Sequence, residues 1–168
     1  MLLVGEGNGR FLAELSRENP EAEIHCVDAS AAMLRPAHRR TSAARVHFHH
    51  SDILQWHAPN SAFDLIVTHF FLDCFEGTEL AAIIRKISAL AAPDACWLIT
   101  DFQLPPRGIA RLHARLWLAT MYAFFRCVAA LPARELAPFA PLLSEGGWVL
   151  QDHRDFRFGL ISAQLWGR

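Results

Sequence analysis

Gly5, Gly7 and Gly9 alternate between the apolar run Leu2-Leu3-Val4 and the helix-compatible run Arg10-Phe11-Leu12-Ala13-Glu14-Leu15. Glycine tolerates a left-handed turn and lets a ligand approach the main chain where any Cβ would collide. The first amides of the following helix then face that ligand, so the segment reads as a cradle for a nucleoside-type molecule. A loop built for a pyrophosphate carries G-x-G-x-x-G/A, whose small last residue packs helix against strand. Here that place holds Arg10 and the pattern is G-x-G-x-G, so the loop departs from the dinucleotide type. Asp28 closes the β-prone run Ile24-His25-Cys26-Val27-Asp28, 19 residues beyond Gly9. Doubly wound folds place there a carboxylate that accepts from both ribose hydroxyls.

Further along, Phe63-Asp64-Leu65-Ile66-Val67-Thr68-His69 is a strand whose carboxyl end leads into Phe70-Phe71-Leu72-Asp73-Cys74-Phe75. Ligands of open parallel sheets bind beyond such ends. His69 is the candidate general base there, because an unperturbed imidazole titrates near neutral pH; the alternative is a pocket-wall histidine bonded to backbone. Asp73 either accepts from a substrate hydroxyl or caps the helix that follows. Phe70, Phe71 and Phe75 offer an apolar wall, or belong to the core. Asp64 lies at the opposite end of the strand and reads as structural. His47 and His49 share one strand face with His50 beside them, but no carboxylate or cysteine completes a recognisable ligand spacing, so no metal site is expected.

The elements that must hold these groups alternate. Strands are expected near 2–5, 23–28, 46–49, 63–69, 95–101, 148–155 and 159–166, and helices near 9–18, 30–40, 78–91, 108–130 and 134–144. In the helix from Thr78, Leu80, Ile83, Ile84, Ile87 and Leu90 recur at helical spacing and Pro93 ends it. Strand-helix alternation implies an α/β, doubly wound, mostly parallel sheet. The last two strands have no room for a crossover helix and must form an antiparallel hairpin. The expected architecture is a Rossmann-like sheet of about seven strands in a single domain, residues 1–168. After strand 5, Pro105-Pro106 opens a helical insertion, about 104–145, with Trp117, Met121 and Tyr122 on an aromatic stripe.

The 168 residues, 52% hydrophobic, suffice for one full core. A net charge of -1 gives no attraction to nucleic acid or an anionic membrane. Cys26, Cys74, Cys96 and Cys127 form no C-x-x-C and read as buried thiols in a reducing compartment. The most apolar stretch, Leu116 to Leu131, is broken by Arg126 and falls short of a membrane span. With no signal-peptide pattern either, a cytoplasmic protein is expected.

The glycine loop, Asp28, Ser51-Asp52-Ile53 and the terminal hairpin together resemble the class I S-adenosylmethionine-dependent methyltransferases, and the likeness runs along nearly the whole chain. The resemblance implies S-adenosylmethionine as cofactor and S-adenosylhomocysteine as product. It implies that Gly5, Gly7 and Gly9 shape the cofactor loop, that Asp28 and Ala29 lie at the ribose, and that Asp52 and the Ile53 amide meet the adenine. Thr68, at the end of strand 4, joins that set. Many members carry an acidic residue two positions before the first glycine; this chain has Leu3 there, and Glu6 is the substitute expected to take the methionine amino group. Small-molecule members resembling those of ubiquinone and menaquinone synthesis cover the acceptor with an insertion after strand 5. That likeness implies an apolar or aromatic acceptor bound by Phe70, Phe71, Trp117, Met121 and Tyr122, with His69 and Asp73 as catalytic candidates. Relatives also carry a helical segment before the first strand, so a more open cofactor pocket, or one covered by the insertion or a second subunit, is expected. Two other readings use the same fold: non-methylating chemistry on the bound cofactor, or a non-catalytic member that binds a partner, such as a homodimer through the insertion helix.

Overall fold

The structure is a computed structural model that describes residues 1–41, 45–59, 62–103 and 138–168. Its strands are β1 (Leu2–Val4), β2 (Ile24–Asp28), β3 (Val46–His50), β4 (Phe63–His69), β5 (Ala91–Phe102), β6 (Val149–Phe156) and β7 (Ile161–Gly167). The helices are α1 (Arg10–Glu18), α2 (Ala31–Arg40), α3 (Gly77–Ala89) and α4 (Ala140–Glu145). Single 3-10 turns cover Leu72–Cys74 and Arg157–Gly159. The seven strands form one sheet in the order β3-β2-β1-β4-β5-β7-β6. All neighbours are parallel except β7, which runs antiparallel to both β5 and β6. The expected doubly wound sheet with a terminal hairpin is therefore what the chain adopts.

Alternation along the buried strands sends successive side chains to opposite faces. Leu3, Leu12, Ile24, Cys26, Leu34 and Val67 form the core beneath α1 and α2. Leu2, Val4, Val27, Ile66, Trp97 and Ile99 form the other core, against Leu80, Ile83, Ile84 and Ile87 of α3. The apolar stripe read from the sequence is thus the buried face of α3. Three indoles in this core are hydrogen-bonded, as burial demands: Trp97 Nε1 donates to Thr68 Oγ1 at 3.1 Å, Trp148 Nε1 to Ser88 Oγ at 2.9 Å and Trp166 Nε1 to Gln164 Oε1 at 3.0 Å.

Two boundaries differ from expectation. α3 stops at Ala89, and β5 starts at Ala91 rather than near 95. Phe63 N donates to Leu90 O at 2.9 Å, which ties the helix end directly into the sheet. The pairing then slips between Phe63↔Ala91 and Leu65↔Cys96. The slip accommodates Pro93, which has no N–H to give the ladder. The helix expected over 134–144 is described only as the six residues of α4. The expected helix over 108–130, with Trp117, Met121 and Tyr122, lies outside the described residues. Among the described residues, no helix is long and apolar enough to cross a membrane.

Candidate functional site

β1, β2 and β3 end side by side, and their carboxyl ends open into a hollow of about 230 Å³. Val4, Gly5, Val27, Asp28, Ala29, Ser51, Asp52 and Ile53 line it from the sheet, and Phe71, Phe75, Glu79 and Ile83 close it from the β4–α3 side. A larger hollow of about 520 Å³ lies along α3 beside α4 and Arg168, and no residue of these strand ends lines it. Size does not decide between them. The 230 Å³ hollow has the convergent carboxylates and the bare backbone.

The glycine turn departs from one uniform role. Gly5 sits at φ +67°, and a Cβ there would lie 2.3 Å from Phe71 Cδ2, so the ring rests on the bare Cα. Gly7, at φ +71°, has open space around it, and its amide donates to Asp28 Oδ2 at 3.3 Å. Gly9, at φ +77°, faces α2 rather than the hollow. A Cβ there would lie 2.5 Å from Ala37 Cα, so this glycine lets α1 and α2 pack together.

Asp28 is held from both sides. Its Oδ1 accepts from Ser30 N at 2.7 Å while Oδ2 accepts from Gly7 N. Each carboxylate oxygen has two lone-pair sites, so both retain capacity toward a ligand. His50 Nε2 lies 3.1 Å from the carbonyl of Ala29, fixing the loop after β2 against the end of β3. Asp52 Oδ1 accepts from Leu54 N at 2.9 Å, and its carbonyl accepts from Gln55 N and Trp56 N. That tight turn presents the Asp52 carboxylate and buried Ile53 to the hollow.

Three candidates do not line the hollow. Glu6 does not reach outward: its Oε1 accepts from Leu12 N at 3.0 Å. It caps α1, whose own N-cap Gly9 has no side chain to do so. Burial pushes the Glu6 carboxyl up, against the pull of the α1 amides. Thr68 is fully buried, with its hydroxyl accepting from Trp97, and does not line the hollow. Its side chain falls on the α3 face of β4, a matter of strand parity. His69 falls on the opposite face. Its ring meets Phe11 of α1 edge-on at 4.5 Å, and burial lowers its pKa, which favours the neutral imidazole.

The segment after β4 is shaped by a carboxyl pair. Asp101, near the end of β5, is almost wholly buried, and its Oδ1 accepts from Phe71 N at 3.0 Å. Asp73, in the 3-10 turn, interacts with Asp101 through its side chain, and burial pushes it up to about 6. Burial and the neighbouring Asp73 raise Asp101 well above the usual carboxylate range. Cys74 Sγ donates to Asp73 Oδ1 at 3.7 Å, and its thiol is pushed up to about 12 by burial and the two carboxyls. Two such groups are satisfied when they hold a proton between them. Asp73 therefore neither caps α3, whose N-cap is Glu76, nor lines the hollow. The pair anchors the loop that delivers Phe71 to Gly5.

Phe70 adopts φ +50°, rare for a residue with a side chain. Its amide donates to Thr100 O at 2.7 Å and its ring packs on Phe102 at 4.8 Å, leaving an exposed aromatic ledge at the ends of β4 and β5. Phe71 belongs to the hollow itself.

The sequence alone assigned no site role to Asp101, Glu79 or Ile83. Glu79 and Ile83 are one helical turn apart on α3, so their spacing was a usable signal. Asp101 had none, because its partner arrives from another strand's loop.

Residues 1–94 match the protein-family model described as "Methyltransferase domain". An uncharacterized methyltransferase of Mycobacterium tuberculosis is 30% identical over 119 residues, 71% of this chain and 58% of the relative. The chain thus spans somewhat more than half the length of that relative. An O-methyltransferase family 2 protein from Planctomyces limnophilus, solved with apigenin, superposes with TM-score 0.77 at 16% identity, covering 99% of this chain and 50% of that one. The N-methyltransferase NodS from Bradyrhizobium japonicum, solved with S-adenosylhomocysteine, gives TM-score 0.71 at 16% identity, covering 99% and 76%.

Proposed function

The chain belongs to the methyltransferase domain family, with the fold of the class I S-adenosylmethionine-dependent enzymes, and from that premise we propose that it transfers a methyl group from S-adenosylmethionine to a small apolar or aromatic acceptor. One observation carries the reading: Asp28, Asp52 and the bare backbone of Gly5 converge on a single hollow at the strand ends. The hollow is smaller than the roughly 300 to 1,000 Å³ of pockets that enclose a whole ligand. It suits the nucleoside part of the cofactor.

S-adenosylmethionine supplies a methyl group already activated on its sulfonium, ready for in-line displacement. The protein's task is then to orient the partners and keep water out. Asp28 accepts from the ribose hydroxyls, Asp52 accepts from the adenine amino group, and the Ile53 amide meets a ring nitrogen. Ala29 and Ser51 bound the rim, while Phe71 supplies an apolar floor on Gly5. The exposed Phe70–Phe102 ledge favours a flat, apolar acceptor. A relative in fold was solved with apigenin, an aromatic molecule bearing hydroxyls, which supports the same class. Asp73 and Asp101 act as positioning residues that hold the Phe71 loop.

The test is incubation with methyl-labelled S-adenosylmethionine and a panel of hydroxylated aromatic acceptors, read by mass spectrometry. Label on an acceptor, lost with Asp28→Ala, supports the reading. S-adenosylhomocysteine binding with no label on any acceptor points to non-methylating chemistry, and no binding at all in a folded sample removes the proposal.

A further inference from the structure

The sheet carries a second cluster of chemistry, at its β3 edge and toward the amino ends of the strands. In the parallel pairing of β2 with β3, His25 stands opposite His47. Val46 and Phe48 pack toward the α1–α2 core, while His47 and His49 share the other face with His25. Glu23, just before β2, reaches both rings: its Oε1 lies 3.4 Å from His25 Nε2 and 3.6 Å from His47 Nε2. Among the described residues, these three ligand atoms lie within 4.8 Å of one another. The geometry points to a divalent metal site of the zinc class, formed by Glu23 Oε1, His25 Nε2 and His47 Nε2, with an open position toward solvent.

Three features support this assignment. Tetrahedral zinc, with bonds of about 2.0 to 2.1 Å, sets its ligand atoms roughly 3.3 to 3.4 Å apart. The two contacts to Glu23 are already near that spacing, and the half-exposed Glu23 and His47 side chains are free to close the third. The donor set, two imidazoles and one carboxylate, is one that zinc accepts with a further position left for water. The third feature is an outer partner. His49 Nε2 lies 3.0 Å from His25 Nδ1, and the two rings are nearly coplanar, with an interplanar angle of 3°. A neutral imidazole has one N–H and one lone pair. When His25 donates from Nδ1 to His49, the tautomer that metal ligation requires, its Nε2 lone pair faces the Glu23 carboxylate oxygen and an ion can bridge the two; in the other tautomer Nε2–H donates to Glu23 instead. Metal-bound histidines characteristically donate their other N–H in this way. Trp56 and Phe63 wall the rings at 5.0 to 6.2 Å and fix their orientation. The α-ammonium of Met1 lies close by and donates to the Glu23 carbonyl at 2.7 Å.

The site is separate from the cofactor hollow. Three steps along β2, roughly 10 Å at about 3.3 Å each, separate His25 from Asp28. An ion here would clamp the edge strand β3 to β2, and β3 leads into Asp52.

Titration of the metal-stripped protein with Zn²⁺ alone tests the site without any nucleoside, so its result is distinct from that of the methyl-transfer reading. We expect one ion per chain and a rise in Tm. His47→Ala and Glu23→Gln, both at half-exposed positions, should each weaken binding by about 100-fold or more. His49→Phe, an outer-partner change, should cost roughly 10-fold. His153→Ala, at a surface histidine beside Asp155, should leave the affinity unchanged. Co²⁺ in the unaltered protein should show the ligand-field absorption of a low-coordinate nitrogen-bound ion. No zinc binding, binding insensitive to both His47→Ala and Glu23→Gln, or a cobalt spectrum of the hydrated ion overturns the assignment.

Discussion

Gly5→Ala is the most informative single perturbation of the cradle, because two independent costs meet at one atom. At φ +67° an alanine pays left-handed strain of about 1 to 2 kcal/mol. Its Cβ would also stand 2.3 Å from Phe71 Cδ2 and 3.0 Å from Cγ. Carbon atoms pack at about 3.5 to 4.0 Å, so the ring must retreat by more than about 1 Å, and overpacking of this kind costs about 1 to 3 kcal/mol. The sum is about 2 to 5 kcal/mol. In a Phe71→Ala background only the strain remains, so the two substitutions should couple by about 1 to 3 kcal/mol in a double-mutant cycle. Urea unfolding of the four proteins, with equal slopes, measures this. Gly7→Ala, with open space around it, should cost only the strain. If Gly5→Ala destabilises equally with and without the Phe71 ring, the packing argument is wrong.

Thr68→Val should cost about 1 to 3 kcal/mol of stability by stranding the buried Trp97 N–H, and S-adenosylhomocysteine affinity by calorimetry should stay unchanged. Asp28→Asn keeps the shape of the side chain but removes its charge and one acceptor; a charge-assisted bond of about 1.5 to 3 kcal/mol lost there should raise the S-adenosylhomocysteine Kd by roughly 10- to 150-fold. The Asp73–Asp101 pair makes stability depend on pH with a defined sign. Asp73 holds its proton in the folded state up to about 6, whereas the unfolded chain releases it near 3.9. Stability from this group is fully present below about pH 4 and falls as pH rises through about 6. Asp101→Asn removes the second buried carboxyl, which is itself raised by burial and by Asp73, and should flatten the slope of the pair, read as the urea midpoint across the same range.

Much of the cofactor hollow was legible because each of its parts sits at the end of a strand and announces itself locally. The glycine alternation, Asp28 and Ser51-Asp52-Ile53 all belong to runs of β-prone residues that stop at a polar group. The terminal hairpin was legible for a related reason, since its two strands leave no length for a crossover. Facing was harder. Thr68 and His69 are neighbours at one strand end, but parity sends one to Trp97 and the other to Phe11, and only the neighbouring elements reveal which. Glu6 looked available because the sequence cannot show that Gly9 leaves α1 without a side-chain cap. Gly9 looked like part of the ligand turn because Ala37 approaches it from another helix. Asp101 and the Glu23–His25–His47 cluster were invisible for the same reason: each depends on strand register, which places residues far apart in the chain beside one another.

The central claim is that Asp28 and Asp52 grip one nucleoside in the hollow against Gly5. A crystal structure with S-adenosylhomocysteine tests it most directly. The account predicts ribose hydroxyls within hydrogen-bond distance of Asp28, the adenine between Asp52 and the Ile53 amide, and Phe71 beneath the ligand. A nucleoside seated elsewhere, or bound with either aspartate turned away from it, would contradict the account.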